Sequence, residues 1–196
     1  MTGFYRLCKA LTYVFLKICY KYKVIDAENL PESGGIVLCC NHQSIHDAII
    51  IGNACKNRQL YFMGKEELFR FKPLGALFRK LGAFPVRRGK GDSNAIDMAK
   101  SIVKDGKVFM IFPEGKRSKD GTILRAKSGA AVVAVSCDAP IVPAAIKYSS
   151  TRHIFCKATV IIGKPIDIKM QDNSRGEIRR ITNEITDHIK ELYEQI

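Results

Sequence analysis

Three short stretches of this chain are apolar from end to end: Ile36-Val37-Leu38-Cys39-Cys40, Val108 to Phe112, and Pro140 to Ile146, the last bracketed by prolines. A strand with one face in water alternates apolar and polar residues. Short continuous apolar runs read instead as strands covered on both faces, the habit of parallel sheets. Between them lie segments of helical periodicity, so strands and helices alternate along the chain. The expected class is therefore α/β, a single domain with a mostly parallel or mixed sheet flanked by helices. At 196 residues the chain suits one domain with a full core. The seven cysteines are odd in number, sit mostly in apolar runs and form no CxxC pair, which suits reduced packing residues of a cytoplasmic protein.

Residues 4–22 read as a basic amphipathic helix, with Phe4, Leu7, Leu11, Val14, Phe15, Ile18 and Tyr22 on one face and Arg6, Lys9, Lys17 and Lys21 on the other. Its longest uncharged run, Ala10 to Leu16, is far below the roughly 20 residues of a spanning helix. It fits either the interface of an anionic bilayer or simple packing on the domain. No small-residue cleavage site follows it, so no secretory signal is expected. The chain then divides into an N-terminal helix, 1–23, and a domain, 24–196.

Val24 to Leu30 is strand-like, and Pro31 to Gly35 form a turn. A helix is expected from Ser44 to Asn53, a strand at Leu60 to Met63 and a strand-like segment within Gly82 to Gly89. Helices should follow at Ser93 to Lys104 and from Lys127 to Cys137, and a strand at Ala158 to Ile162. Ser174-Arg175-Gly176-Glu177 is a capping box opening the last helix. Net charge is +13, and residues 56–90 hold ten Lys/Arg against Glu66 and Glu67, interleaved with Leu68, Phe69, Phe71, Leu74, Leu77, Phe78 and Leu81. Such a basic, apolar surface points to an anionic partner: lipid headgroups, a phosphorylated substrate or nucleic acid. The last lacks a helix-turn-helix or aromatic RNA-binding signature and is not expected.

Sites in open α/β sheets form at the carboxyl ends of strands. At the end of the Ile36–Cys40 run stand Asn41-His42-Gln43-Ser44-Ile45-His46-Asp47. A neutral imidazole can take a proton near physiological pH if a partner fixes its tautomer. Asp47 suits that task, because the first turn of a helix favours an ionised carboxylate. No Gly-x-Ser-x-Gly elbow supplies a protein nucleophile, so a hydroxyl activated by His42 would belong to the substrate. Other readings remain open at this point: His42, His46 and Asp47 as metal ligands, Cys40 as a nucleophile, or wholly structural roles. Arg87-Arg88 and Arg117 also follow strands, and guanidinium groups bind phosphate bidentately. Lys65 and Lys116 add point charges. Glu114 either binds a substrate hydroxyl or holds an arginine.

Taken together, Asn41-His42-(four residues)-Asp47, Gly82 to Arg88, Phe112-Pro113-Glu114-Gly115-Lys116-Arg117-Ser118 and Ile141-Val142-Pro143 resemble the four ordered motifs of the glycerolipid acyltransferase family. The resemblance extends from the N-terminal helix to about Pro165. It implies His42 as general base, Asp47 as its orienting partner, Arg88 and Arg117 as ligands of the acceptor's phosphate, and Glu114 and Gly115 as parts of the third motif. Lys116 departs from the commonest threonine, and Arg87 from a frequent aspartate, both adding positive charge. The implied reaction moves a fatty acyl group from acyl-CoA or acyl carrier protein to the sn-2 hydroxyl of lysophosphatidic acid, forming phosphatidic acid. Glycerol 3-phosphate or another lysophospholipid is the alternative acceptor, and a non-catalytic lipid-binding basic domain is the remote alternative. No metal or resident cofactor is expected, and the expected location is the cytoplasmic face of the cell membrane, peripheral or monotopic.

Overall fold

A computed structural model describes residues 1–87, 92–150, 155–168 and 175–196. Helix α1 (Gly3–Cys19) leads into β1 (Tyr20–Ile25), then β2 (Ile36–Cys40), α2 (Asp47–Ala54), β3 (Leu60–Lys65), α3 (Lys72–Lys80) and β4 (Ala83–Val86). There follow α4 (Ser93–Lys104), β5 (Val108–Ile111), α5 (Gly129–Ser136), β6 (Ile141–Tyr148), β7 (Cys156–Ile162) and α6 (Arg175–Glu194). The strands form one seven-stranded sheet in the order β1-β7-β6-β2-β5-β3-β4. All neighbours pair in parallel except β6 and β7. The mixed α/β class expected from the apolar runs is the one observed.

Every residue of β2 is buried, because β2 pairs with both β5 and β6 and helices cover both faces. Leu38 and Cys40 face the layer that holds Leu16 of α1 and Ile50, Ile51 and Ala54 of α2. Val37 and Cys39 face Ala99 of α4, Ala130 and Val133 of α5 and Ile181 and Ile185 of α6. Gly82, at φ +93, starts β4 where a side chain cannot fit, since an added Cβ would lie 2.2 Å from the Leu60 carbonyl oxygen. At the far end of β2, Asn41 clamps β6. Its Nδ2 donates to the Ile146 carbonyl at 2.9 Å and its Oδ1 accepts from the Ile146 N–H at 2.8 Å.

Several boundaries differ from the sequence expectation. The first helix stops at Cys19, and Tyr-Lys-Tyr-Lys-Val turns to period two as an edge strand beside β7. Tyr22 thus belongs to a strand, and the expected division after residue 23 falls inside β1. Asp26 adopts a left-handed φ of 54 and ends that strand, so 27–29 form a 3₁₀ turn in place of further strand. The helix expected from Ser44 begins at Asp47. Strands β3, β6 and β7 run to Lys65, to Tyr148 and from Cys156, beyond their apolar runs. Ser174 of the capping box lies outside the described residues.

Helix α1 docks through a stripe unlike the one expected. Tyr5, Leu16 and Cys19 are buried, whereas Phe4, Leu7, Leu11, Val14, Phe15 and Ile18 are exposed, Ile18 by 73%. Lys9 also turns inward: its Nζ donates to the carbonyls of Cys55 and Lys56 at 2.6 and 2.9 Å, a cation at the C-terminal end of α2. Burial lowers its pKa from the usual lysine value. No helix among the described residues is long and apolar enough to cross a membrane.

The Asn41 clamp is the simplest part of this frame to test. Asn41→Ala strands the buried N–H and C=O of Ile146 without partners, and should lower unfolding free energy by about 2–4 kcal/mol, read from the urea midpoint.

Candidate active site

Where β2 ends, the chain turns into a loop because the side chain of Asp47 reaches back over it. Asp47, wholly buried, accepts from the backbone N–H groups of Gln43 at 2.7 Å and Ser44 at 2.8 Å through Oδ2. Those bonds hold residues 43 and 44 in a turn ahead of α2, which starts at Asp47. The same oxygen lies 2.7 Å from His42 Nδ1. The His42 side chain is 15% exposed, and Nε2 is the ring nitrogen left for substrate. Phe112 stacks on the imidazole with ring centroids 3.9 Å apart and planes 10° from parallel. The ring is thus held by a carboxylate at one edge and an aromatic plane on one face.

The loop after β5 supplies the next contacts. Glu114 Oε1 accepts from the His42 N–H at 2.9 Å, and Oε2 from the Leu124 N–H at 3.2 Å. Both carboxylate oxygens of Glu114 thus hold backbone, one on each of two loops. Ser118 N–H donates to the His42 carbonyl at 2.7 Å, so His42 is gripped from both sides of its peptide. Gly115 has φ +73, and a Cβ there would meet Lys127 Nζ at 3.0 Å. Lys127, which the sequence pattern did not single out, packs there because the position carries no side chain.

His42 opens onto a cavity of about 700 Å³. Phe62, Met110 and Phe112 line it with apolar surface, Arg87, Lys100 and Lys127 with positive charge, and Asp92 and Asp97 with carboxylates, Asp97 lying 3.5 Å from Lys100 Nζ. Arg87 reaches it from the end of the edge strand β4, with its Nε 3.2 Å from Glu66 Oε2. Lys65 ends β3 and pairs with Glu67 at 3.3 Å. Lys116 and Arg117 are exposed on the loop after β5, and neither is part of the cavity lining. Arg88 lies outside the described residues. His46 turns away from His42, with its Nδ1 2.8 Å from the Tyr20 hydroxyl. Cys40 is buried, and burial pushes its thiol well above the ordinary range, which leaves it a packing residue and no nucleophile.

One participant went unread in the sequence. Tyr148, at the end of β6, donates to Asp47 Oδ1 at 2.5 Å. The apolar run stops at Ile146, but period two carries Ala144 and Ile146 on to Tyr148 along one face of the strand.

Glu114 carries a pH signature. Burial raises its carboxyl pKa, and the negative charge of Asp47 adds to the rise, against the lowering by its two N–H bonds. The native state therefore binds this proton more tightly than the unfolded chain. Its contribution to stability falls as pH climbs from the unfolded glutamate value through the raised native one. Glu114→Gln should flatten that stretch of the stability–pH curve. It should also lower neutral-pH stability by about 1–3 kcal/mol, since the amide cannot accept from both N–H groups. Urea midpoints recorded at closely spaced pH values between acid and neutral check both.

Comparison with known proteins shows the family. The family model described as Acyltransferase matches residues 21–147, from within β1 to Lys147 in β6. A 1-acyl-sn-glycerol-3-phosphate acyltransferase of Bacillus subtilis is 33% identical over 193 residues, covering 96% of this chain and 96% of that protein. Human 1-acyl-sn-glycerol-3-phosphate acyltransferase beta is 28% identical over 72% of this chain, which spans 54% of the human protein's length. The crystal structure of the 1-acyl-sn-glycerophosphate acyltransferase PlsC from Thermotoga maritima aligns with a TM-score of 0.71 at 26% identity, covering 94% of this chain and 76% of that one. With the family model spanning the His42 loop, the Glu114 loop and β6 as far as Lys147, and with one relative matched over nearly its whole length, the chain belongs to the Acyltransferase family and is an enzyme of that type.

Proposed function

We propose that this acyltransferase acylates the sn-2 hydroxyl of lysophosphatidic acid, using acyl-CoA or acyl carrier protein as donor and forming phosphatidic acid. The observation that carries the reading is the imidazole of His42, tied to Asp47 at 2.7 Å through Nδ1 and facing a cavity walled by apolar and charged side chains. Nε2 takes the proton of the acceptor hydroxyl as its oxygen attacks the thioester carbonyl carbon. The tetrahedral oxyanion collapses with cleavage of the C–S bond, and the imidazolium returns its proton to the departing thiolate. Asp47 holds the tautomer and offsets the charge that His42 gains. The arithmetic of the reaction closes with no metal and no resident cofactor.

Arg87, Arg88, Lys65, Lys116 and Arg117 form the cationic surroundings proposed for the acceptor's phosphate, with Arg88 and Arg117 as the principal ligands. Glu114 and Gly115 shape the loop between them and His42. The exposed apolar stripe of α1 and the basic, apolar segment around α3 would rest on an anionic membrane surface at its cytoplasmic face. There the acceptor's acyl tail can stay in lipid. The names of the relatives in Bacillus subtilis and Thermotoga maritima support this acceptor.

Lysophosphatidate-dependent release of thiol, followed against a panel that includes glycerol 3-phosphate and other lysophospholipids, tests the acceptor. Preference for another member of the panel would replace lysophosphatidic acid in the scheme. His42→Ala should lower kcat by at least about 100-fold with the fold intact. Full activity in that variant would remove the general-base role. For the membrane, Leu11→Glu combined with Ile18→Glu should weaken co-sedimentation with phosphatidylglycerol vesicles by at least about tenfold while leaving circular dichroism unchanged. Unaltered binding would move the contact elsewhere.

A further inference from the structure

We propose that Tyr148 is a positioning residue of the acyl transfer: its hydroxyl holds the Asp47 carboxylate in the orientation in which that carboxylate grips His42. The inference rests on the general-base reading of His42 given above. It concerns a residue that none of the sequence motifs includes.

Asp47 distributes its bonds unevenly. Oδ2 carries His42 Nδ1, Gln43 N–H and Ser44 N–H at 2.7, 2.7 and 2.8 Å. Tyr148 binds the other oxygen, Oδ1, at 2.5 Å, across 101 residues of chain. A carboxylate held by one oxygen can swing about its Cβ–Cγ bond, and a swing takes Oδ2 away from Nδ1. A donor on Oδ1 opposes that swing. The placement of Tyr148 is itself dictated by the His42 loop. Asn41, the residue before His42, binds both the N–H and the C=O of Ile146, and Tyr148 follows two residues later on the same strand face. Both hydrogen-bonded arms, Asn41–Ile146 and Asp47–Tyr148, thus join the same loop to the end of β6.

Tyr148 remains a donor at any working pH, since burial first and the charge of Asp47 second push its phenol well above the ordinary range. Other titratable groups face the same network. Glu114 comes from the loop after β5, Cys40 from β2, Tyr20 from β1 and His46 from the N-terminal end of α2. Burial pushes Tyr20 to about 12 and Cys40 well up, so neither shapes an acidic limb. That leaves His42, His46 and Glu114. Isotope-edited nitrogen shifts of the histidine rings separate the first two, and a profile in Glu114→Gln removes the third.

The test compares Tyr148→Phe with Tyr22→Phe. Tyr22 also gives a hydroxyl bond to α2, at the Ile50 carbonyl 3.1 Å away, but does not touch Asp47. Loss of the donor on Oδ1 concentrates negative charge on Asp47 and favours the protonated imidazole. The acidic limb of kcat/KM should therefore move to higher pH by about half a unit to one unit, the His42 ring titrating with it. At neutral pH kcat should fall by roughly three- to tenfold, with KM for both substrates within about twofold. Tyr22→Phe should leave limb and kcat in place. Genetically encoded 3-fluorotyrosine at position 148 keeps the shape and strengthens the donor, so its limb should move the opposite way. That measurement also decides the matter if Tyr148→Phe fails to fold. A limb unmoved in both Tyr148 variants, or moved in the same direction by both, would overturn the proposal. A loss of kcat matched by Tyr22→Phe would do the same. Should His42→Ala prove fully active, the underlying base reading falls; if it is inactive while Tyr148→Phe behaves as wild type, only the role of Tyr148 falls.

Discussion

The buried carboxylate of Asp47 is the interaction on which the rest of the site depends. An ionised group with no exposure to water is tolerated only where hydrogen bonds replace its hydration. Asp47 meets that condition with two backbone N–H groups, an imidazole nitrogen and a phenol. The backbone bonds fold the 43–46 loop, and the loop in turn sets His42 at the cavity mouth. Fold and site therefore share one side chain: the conformation that satisfies the charge is also the one that orients the imidazole of His42.

A second carboxylate completes the arrangement from the neighbouring strand. Because β5 lies beside β2, the loop after β5 passes within reach of His42, where Glu114 accepts its N–H and Ser118 donates to its carbonyl. Phe112, on the same loop, covers one face of the imidazole. The third motif, whose arginine is the part that resemblance emphasises, thus also acts as a splint for the first. Its exposed cations, Lys116 and Arg117, stand on a loop that Glu114 already fixes against His42.

The sheet was legible because its central strands are buried on both faces, and a continuous apolar run of four to eight residues between turn residues suits a doubly covered strand better than a solvent-facing one. His42 and Asp47 were legible because an imidazole and a carboxylate at a strand end form a recognisable chemical pair. What could not be read has equally physical reasons. Tyr22 falls on the helical stripe continued from Ile18, so the change from period 3.6 to period two left a signal only a few residues long. The backbone bonds of Glu114 left no mark in the sequence, since its partners are N–H groups and every non-proline residue carries one. Tyr148 was missed because Lys147 breaks the apolar run just where the strand emerges from the core. His42 and Tyr148 meet through Asp47 only once the order of strands is known.

Strand direction also explains why the N-terminal helix bears on the site at all. β7 runs opposite to β6, and β1 is parallel to β7, so β1 runs against the central strands. Its first residue, Tyr20, therefore lies at the edge where those strands end, with its ring 6.3 Å from that of Tyr148 and its hydroxyl on His46. The end of α1 arrives at the same edge, where Phe15 lies 6.1 Å from the ring of His46. Ile45, between His42 and Asp47 in sequence, is 68% exposed on the same loop. Had β1 run with the central strands, its start and the end of α1 would lie at the opposite edge of the sheet. The antiparallel pairing of β6 with β7 is thus what brings the exposed apolar stripe of α1 to the loop that holds His42. A surface that accepts lipid along that stripe would accept it beside the base.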